Sequence, residues 1–109
     1  MLNRPFPKSR AETELDDFEL VFSALSHEDR RRILVVLLGR GGQMTAGEIV
    51  QRFTSSWPTM TRHLHILEHA GLIVVEKRGR ERHYILQAKR MSKVLQSWNQ
   101  YFSEVENES

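Results

Sequence analysis

The sequence predicts a mainly helical domain with one small β-hairpin near its C-terminal end. Apolar residues recur at helical spacing through most of the chain. Capping residues or a proline stand ahead of several of these stretches, as they do where helices begin. Two β-rich runs flank the Arg-Gly-Arg-Glu turn at 78–81. The elements are therefore expected in the order α-α-α-α-β-β-α.

Length and composition indicate one small globular domain. The chain has 109 residues, of which 39% are apolar and 28% charged. It has no cysteine, which excludes a disulfide framework, thiolate zinc sites and cysteine-based redox chemistry. No apolar run approaches the length of a membrane span, and the first residues lack the apolar stretch of a signal peptide, so we expect a cytoplasmic protein without membrane contact.

The first half of the chain predicts an arm and two helices. Residues 1–12 are expected to form a flexible arm, because Pro5 and Pro7 interrupt a stretch with little apolar content, and the domain is expected to span 13–109. A helical apolar stripe then predicts the first helix. Ser26 and Asp29 have capping-box spacing and predict the start of the second. Six consecutive apolar residues at 33–38 could form a buried strand, but the capped, arginine-rich start and the glycines that follow favour a buried helix.

Two further helices and the hairpin complete the predicted fold. Thr45 and Glu48 form a capping box that opens a short helix. Ser56 caps the next helix, Pro58 lies in its first turn, and Gly71 ends it. A short helix, a turn of about three residues and a second helix make a helix-turn-helix. The hairpin directly behind it predicts the winged form of this fold.

Charge is distributed unevenly along the chain. Residues 11–29 carry seven acidic residues and no Lys or Arg, whereas residues 77–90 have a local charge of +5. Such a basic run is most often a solvated loop, but its place in the predicted hairpin favours contact with a polyanion. In a winged helix-turn-helix the second helix enters the major groove of DNA, and the hairpin approaches the flanking backbone or the minor groove.

Four segments resemble the ArsR/SmtB family of bacterial dimeric winged-helix repressors. They are ALSHEDRRRIL, TAGEIV, TRHLHILEHAGLI and GRERHYIL, within residues 18–105. The Trp-Pro helix start, the GRERHY hairpin and the aromatic last helix are most similar to the metal-independent, autorepressor-like members. The resemblance implies a homodimeric repressor that binds a palindromic operator through a recognition helix at 56–70 and a wing at 77–83.

The resemblance does not extend to the family's metal sensors. Those sensors carry Cys pairs on the helix before the recognition helix, or Asp and His ligands on the last helix. Residues 48–53 contain no Cys, and the last helix has neither His nor Asp. The resemblance therefore implies a repressor that does not sense metal.

The predicted DNA contacts lie on the recognition helix and the wing. Arg62 can bind guanine O6 and N7, and threonine hydroxyls can reach a base or a phosphate. Trp57 either packs against its neighbours or contacts a thymine methyl group, and Pro58 mainly shapes the helix start. The predicted DNA-binding residues are Trp57, Pro58, Thr59, Thr61, Arg62, His65, Arg78, Arg80 and Arg82. Salt bridges to the acidic first helix are the expected role of Arg30, Arg31 and Arg32.

The histidines of the recognition helix do not predict a metal site. His65 and His69 are four residues apart, which suits zinc, but a third ligand is missing. We expect His63 to be packed or hydrogen-bonded behind the helix, His65 to reach a phosphate and His69 to lie on the surface. No metal and no cofactor are predicted.

The aromatic last helix predicts a dimer interface with the first helix. Its apolar area is large for so small a domain, and a twofold dimer would present two recognition helices to DNA. Alternatively, this helix folds back on the core of its own chain. The predicted interface residues are Leu15, Phe18, Phe22, Val94, Trp98, Tyr101 and Phe102.

These observations favour a sequence-specific, double-stranded-DNA-binding transcriptional regulator, most simply a homodimeric repressor. One alternative is a metal- or small-molecule-responsive sensor of the same fold, which would need a ligand set that the sequence does not show. A protein-interaction winged helix is a second alternative, but it would not need the basic wing. An enzyme is not expected, since no Ser, His and Asp lie in a recognisable nucleophile turn. The sequence identifies no effector.

Overall fold

The computed structural model describes the backbone of residues 9–108 and the side chains of residues 9–103. The elements are α1 (Arg10–Leu25), α2 (Glu28–Gly39), β1 (Gln43–Thr45), α3 (Ala46–Val50), α4 (Trp57–His69), β2 (Ile73–Arg78), β3 (Glu81–Leu86) and α5 (Ala88–Glu108). The predicted five helices and hairpin are confirmed in order, with β1 added. Among the described helices, none combines the length and the apolar content needed to cross a bilayer.

Helix α1 begins at Arg10, which is earlier than the predicted domain start at residue 13. The Ser9 hydroxyl accepts a hydrogen bond from the Glu12 N–H, and the Glu12 carboxylate accepts one from the Ser9 N–H. This capping box satisfies backbone donors that have no partner within the helix. Residues 10–12 therefore belong to α1. Ser9 of the predicted arm caps this helix, and residues 1–8 of the arm lie outside the described residues.

A three-stranded antiparallel sheet replaces the predicted isolated hairpin. Strand β3 lies in the centre, between β1 and β2. Met44 of β1 pairs with Tyr84, and Val75 of β2 pairs with the same residue from the other side. The turn between β2 and β3 begins at Gly79, whose φ of 62° is the positive value that tight hairpin turns require.

The core lies between the helices and one face of the sheet. Met60, Leu64 and Leu67 of α4 are buried in it, as their spacing predicts. The prediction that the apolar run at 33–38 forms a helix and not a strand is confirmed, but its burial is partial, because Val35 is 67% exposed and Leu38 is 64% exposed. A helix at the surface of a small domain presents only one face to the core, and these two residues lie on the other.

The start of α2 is capped by His27 and not by Ser26 as predicted. His27 Nδ1 accepts a hydrogen bond from the Asp29 N–H at 3.1 Å. The Ser26 hydroxyl instead donates to the Ser23 carbonyl at 2.7 Å. Helix α1 continues to Leu25, so Ser26 completes its C-terminal end and leaves the next residue to cap α2.

The arginines at the start of α2 bind the C-terminal end of α1. Arg30 donates to the carbonyls of Ser23 and Ala24, and Arg31 donates to that of Leu25. The last carbonyls of a helix lack partners within it and favour cations. Arg32 pairs with Glu28 of its own helix at 2.8 Å. The prediction that these arginines form salt bridges to the acids of α1 is therefore wrong.

Candidate DNA-binding surface

The helix-turn-helix consists of α3, a turn at 51–56, and α4. The turn is longer than predicted because α3 ends at Val50. The capping box of α3 is confirmed: the Thr45 hydroxyl accepts from the Glu48 N–H at 3.2 Å, and the Glu48 carboxylate accepts from the Thr45 N–H at 3.0 Å. The hydrogen bond from the Thr45 backbone N–H to the Glu48 carboxylate is the main reason that the pKa of Glu48 lies below its ordinary value.

The N-terminal end of α4 is held by local hydrogen bonds. The Ser56 hydroxyl accepts from the Thr59 N–H at 3.4 Å and donates to the Thr59 hydroxyl oxygen at 3.1 Å. Pro58 lies in the first turn, where a backbone N–H has no partner within a helix. The predicted roles of Ser56 and Pro58 in starting the helix are confirmed.

The outward face of α4 is polar, and Arg62 is the basic residue on it. Of the predicted contact residues on this helix, all are exposed: Trp57, Pro58, Thr59, Thr61, Arg62 and His65. Within the part of the chain that the structure describes, the side chains of Thr61, Arg62 and His65 form no hydrogen bond or salt bridge. Trp57 is 55% exposed at the first position of the helix, although it is a large aromatic residue. These groups are free to contact a ligand.

The wing has a basic tip. Arg78, Arg80 and Arg82 are all exposed. Arg78 binds Glu76 at 2.6 Å, whereas Arg80 and Arg82 have no acidic partner among the described residues. Lys77 lies directly opposite Arg82 in the β2–β3 register. Like charges in that position destabilise a strand pair, so this tip gains from a polyanion that lies against it. Lys77 was absent from the predicted contacts, although it contributes to the +5 charge of 77–90.

The predicted dimer residues divide into an inner and an outer group. Phe18 and Val94 are buried within the chain. The ring of Trp98 lies 5.5 Å from that of Phe18 and 5.1 Å from that of Phe22, both on α1. Helix α5 thus folds back on the core of its own chain, which was the alternative to a dimer.

The outer group consists of Leu15, Tyr101 and Phe102, all of which are exposed. Phe102 is the most exposed of the three, at 51%. The hydroxyl of Tyr101 donates a hydrogen bond to the Glu14 carboxylate, which raises the pKa of the tyrosine and lowers that of Glu14. The dimer interface therefore remains a prediction, and the exposure of these three residues is what supports it.

A group of possible metal ligands that the sequence did not predict lies beside α4. One ligand atom each of His27, Asp29 and His63 lies within 4.8 Å of the others. However, His63 Nδ1 faces the Arg30 guanidinium, and His27 Nδ1 accepts from a backbone N–H. Both Nδ1 atoms therefore act as acceptors, so each neutral ring carries its proton on Nε2 and offers no lone pair there. Because both Nδ1 atoms are already engaged by donors, the arrangement does not suit a metal.

Comparison with known proteins identifies relatives that share this arrangement. Residues 25–76 match a helix-turn-helix domain family. The transcriptional repressor SdpR of Bacillus subtilis is 42% identical over 66 residues, which are 61% of this chain and 71% of that protein. An HTH-type transcriptional regulator of Methanocaldococcus jannaschii is 29% identical over 75 residues, which are 69% of this chain and 83% of that protein.

The fold is also similar to solved structures. An ArsR-like transcriptional regulator from Rhodococcus sp. RHA1 superposes with a TM-score of 0.78 at 28% identity, covering 88% of this chain and 89% of that one. The crystal structure of another ArsR family transcriptional regulator gives a TM-score of 0.75 at 24% identity, covering 94% of this chain and 99% of that one.

Proposed function

Because this chain belongs to the ArsR/SmtB family of winged helix-turn-helix transcriptional regulators, we propose that it is a homodimeric repressor of a palindromic operator. Helix α4 is the recognition helix, and the tip of the β2–β3 hairpin is the wing. The chain is a transcriptional regulator with a DNA-binding helix-turn-helix and not an enzyme. The cytoplasmic location expected from the sequence remains a prediction.

The observation that carries the proposal is the exposed polar face at the N-terminal end of α4. Arg62 is exposed beside Thr59 and Thr61, while Met60 and Leu64 anchor the opposite face in the core. In a helix-turn-helix the N-terminal residues of the second helix contact base edges. An arginine there can bind both acceptors of guanine, and Trp57 can lie against a thymine methyl group.

Dimerisation and repression have separate support. The exposed aromatic groups on α5 favour burial against a second copy, and a twofold dimer reads two half-sites of opposite direction. The repressor role is proposed from similarity to SdpR, which is named as a repressor. A small-molecule sensor of the same fold is the second candidate, and the apolar groove between α2 and α5, lined by residues such as Leu34, Val35 and Met91, is where such a ligand would fit.

Selection of bound genomic fragments, followed by sequencing, tests the proposal. The wild-type protein should enrich fragments with an inverted repeat whose half-sites are about one helical turn apart. A variant with both Thr61→Ala and Arg62→Ala serves as control, because it should still bind DNA weakly but lose the enrichment. When the selected operator is placed ahead of a reporter gene, the regulator should then lower expression of that gene. Equal recovery of all fragments by the wild-type protein would contradict the proposal.

A further inference from the structure

A buried polar contact connects the recognition helix to the rest of the domain. Arg30 is only 9% exposed and His63 only 4% exposed. Arg30 of α2 donates through Nε and Nη2 to the carbonyls of Ala24 and Ser23, and its Nη1 lies 3.2 Å from His63 Nδ1 on α4. One guanidinium group therefore joins the end of α1 and the start of α2 to the recognition helix.

This contact requires a neutral His63. An arginine side chain can only donate hydrogen bonds, so His63 Nδ1 must accept and the proton of the ring lies on Nε2, 4.0 Å from the Asp29 carboxylate. A second proton would place an N–H group against the Arg30 donor and a positive ring against a positive guanidinium. Protonation of His63 therefore breaks the contact and replaces attraction with repulsion.

The contact lies directly behind the residues proposed to read DNA. His63 follows Arg62 in the chain, and its ring lies on the buried side of the helix. We propose, on the basis of the function given above, that Arg30 and His63 are positioning residues that hold α4 in its DNA-reading orientation only while His63 is neutral. Mild acidification then releases the operator.

The charges around His63 set the direction of this response. The titratable and charged groups that face it are His27, Asp29, Arg30 and Arg62, and α1 faces the cluster through its last carbonyls. Burial is the main cause that lowers the pKa of His63 below its ordinary value of 6.5; the charges of His27, Arg30 and Arg62 lower it further, and Asp29 opposes them.

The sign of the effect follows from this lowered pKa. Well above pH 6.5, the ordinary pKa of histidine, the ring is neutral in both the folded and the unfolded chain. As the pH falls below that value, the unfolded chain takes up the proton first, so the folded state loses stability until its own, lower pKa is passed. The protonated form of the folded protein is therefore the strained one, and release of DNA begins below the ordinary histidine range.

The test is a pH profile of DNA binding by the full chain at one fixed salt concentration, between about pH 5 and about pH 8. Affinities for the selected operator and for a random duplex are measured at each pH. Exposed histidines raise the affinity for DNA of any sequence when they become charged. This increase is common to both duplexes, so it cancels in the ratio of the two affinities. For the wild-type protein the ratio should fall with acidification, by up to about tenfold per pH unit for each protomer.

Two variants separate His63 from the other histidines. His63→Gln keeps an oxygen that can accept from Arg30 but cannot titrate, so its ratio should stay flat. His69→Gln changes an exposed histidine of the same helix that lies outside the predicted DNA contacts, so it should keep the wild-type profile. A flat wild-type profile, or a fall that persists in His63→Gln, would overturn the proposal. A wild-type protein that fails to distinguish the operator even at about pH 8 would instead refute the proposed function.

Two further measurements test the contact in the wild-type protein, where misfolding of a variant plays no part, and test whether the cluster binds a metal. Nitrogen NMR of the wild-type protein should show an unprotonated Nδ1 on His63 at neutral pH, and backbone signals of α4 should shift with the same midpoint as this ring. A protonated Nδ1 would contradict the contact whatever the variants do. Addition of zinc at neutral pH should leave these signals unchanged, whereas zinc binding that is lost in His63→Gln would make the cluster a metal site and refute the proposal.

Discussion

Helices α4 and α5 each bury an apolar stripe against the body of the domain, but they leave opposite kinds of surface outside. On α4 the buried stripe is complete, and the outward face presents Arg62 among small polar groups. On α5 the stripe continues beyond the core, so that Phe102 and Tyr101 remain exposed although Val94 and Trp98 are covered by α1.

The two surfaces favour different partners for physical reasons. Unpaired cations gain from a polyanion, because phosphates release their condensed counterions when the cations bind. Exposed aromatic groups gain when they leave water, at about 25 cal/mol per Å² of apolar surface buried. We therefore expect α4 to bind DNA and α5 to bind protein, and substitutions on the two helices should separate reading from assembly.

The largest effect is expected from Phe102→Glu. A carboxylate at the centre of an apolar interface should cost about 2 kcal/mol or more of dimerisation free energy. Light scattering should then show a monomer at concentrations where the wild-type protein is a dimer, and operator affinity should fall because only one half-site is bound at a time. Phe102 is preferable to Trp98, because the Phe102 ring packs within the chain against Trp98, whereas the Trp98 ring also packs against Phe18 and Phe22 on α1.

Val35→Glu is the matched control for this substitution. Val35 is an exposed apolar residue on α2, outside the predicted interface, and the same charge there should change neither mass nor affinity. A dimer that survives Phe102→Glu but is lost in Val35→Glu would move the interface to α2. If the wild-type protein were monomeric at micromolar concentration, the proposed dimer interface on α5 would be refuted.

The next effect in size is expected from Arg62→Ala. Loss of a bidentate contact to guanine should lower operator affinity by about 1–3 kcal/mol for each half-site. Affinity for random DNA should fall much less, and thermal stability should not change, since the side chain makes no contact with the core. Both affinities are compared at one salt concentration.

Lys93→Ala controls for the loss of one positive charge. Lys93 is an exposed cation on α5, away from the predicted contacts, and its removal should have little effect on either duplex. If Arg62→Ala lowered both affinities equally, Arg62 would contact phosphate and base reading would depend on Thr59, Thr61 or Trp57.

Local features of this fold were predictable from sequence. The Thr45–Glu48 capping box, the Ser56 cap and the position of Pro58 each depend on residues within one helical turn. The buried face of α4 also follows from spacing alone, since Met60 and Leu64 are one turn apart. The residues of α4 that do not lie on this buried face were therefore predicted to form its exposed face.

Features made by distant residues were not predictable. Strand β1 has three residues and exists because it pairs with β3, about forty residues further on. The contact between Arg30 and His63 joins two helices through a buried arginine, a residue type that is mostly exposed. Whether Ser26 or His27 caps α2 depends on where α1 ends, and that is set by packing.

The smallest effect is expected from Arg80→Ala. This substitution tests whether charge on the wing contributes to DNA binding. Arg80 is exposed at the tip of the wing and has no acidic partner in the described residues, so its charge is available to a phosphate. Its removal should weaken binding to operator and random DNA alike. The slope of log affinity against log salt concentration should become shallower by about one unit for each wing that contacts DNA. Titrations at several salt concentrations measure this slope, with Lys93→Ala again as the charge control. An unchanged slope would mean that the wing does not hold a phosphate, and a loss confined to the operator would mean that Arg80 reads bases or the width of the minor groove.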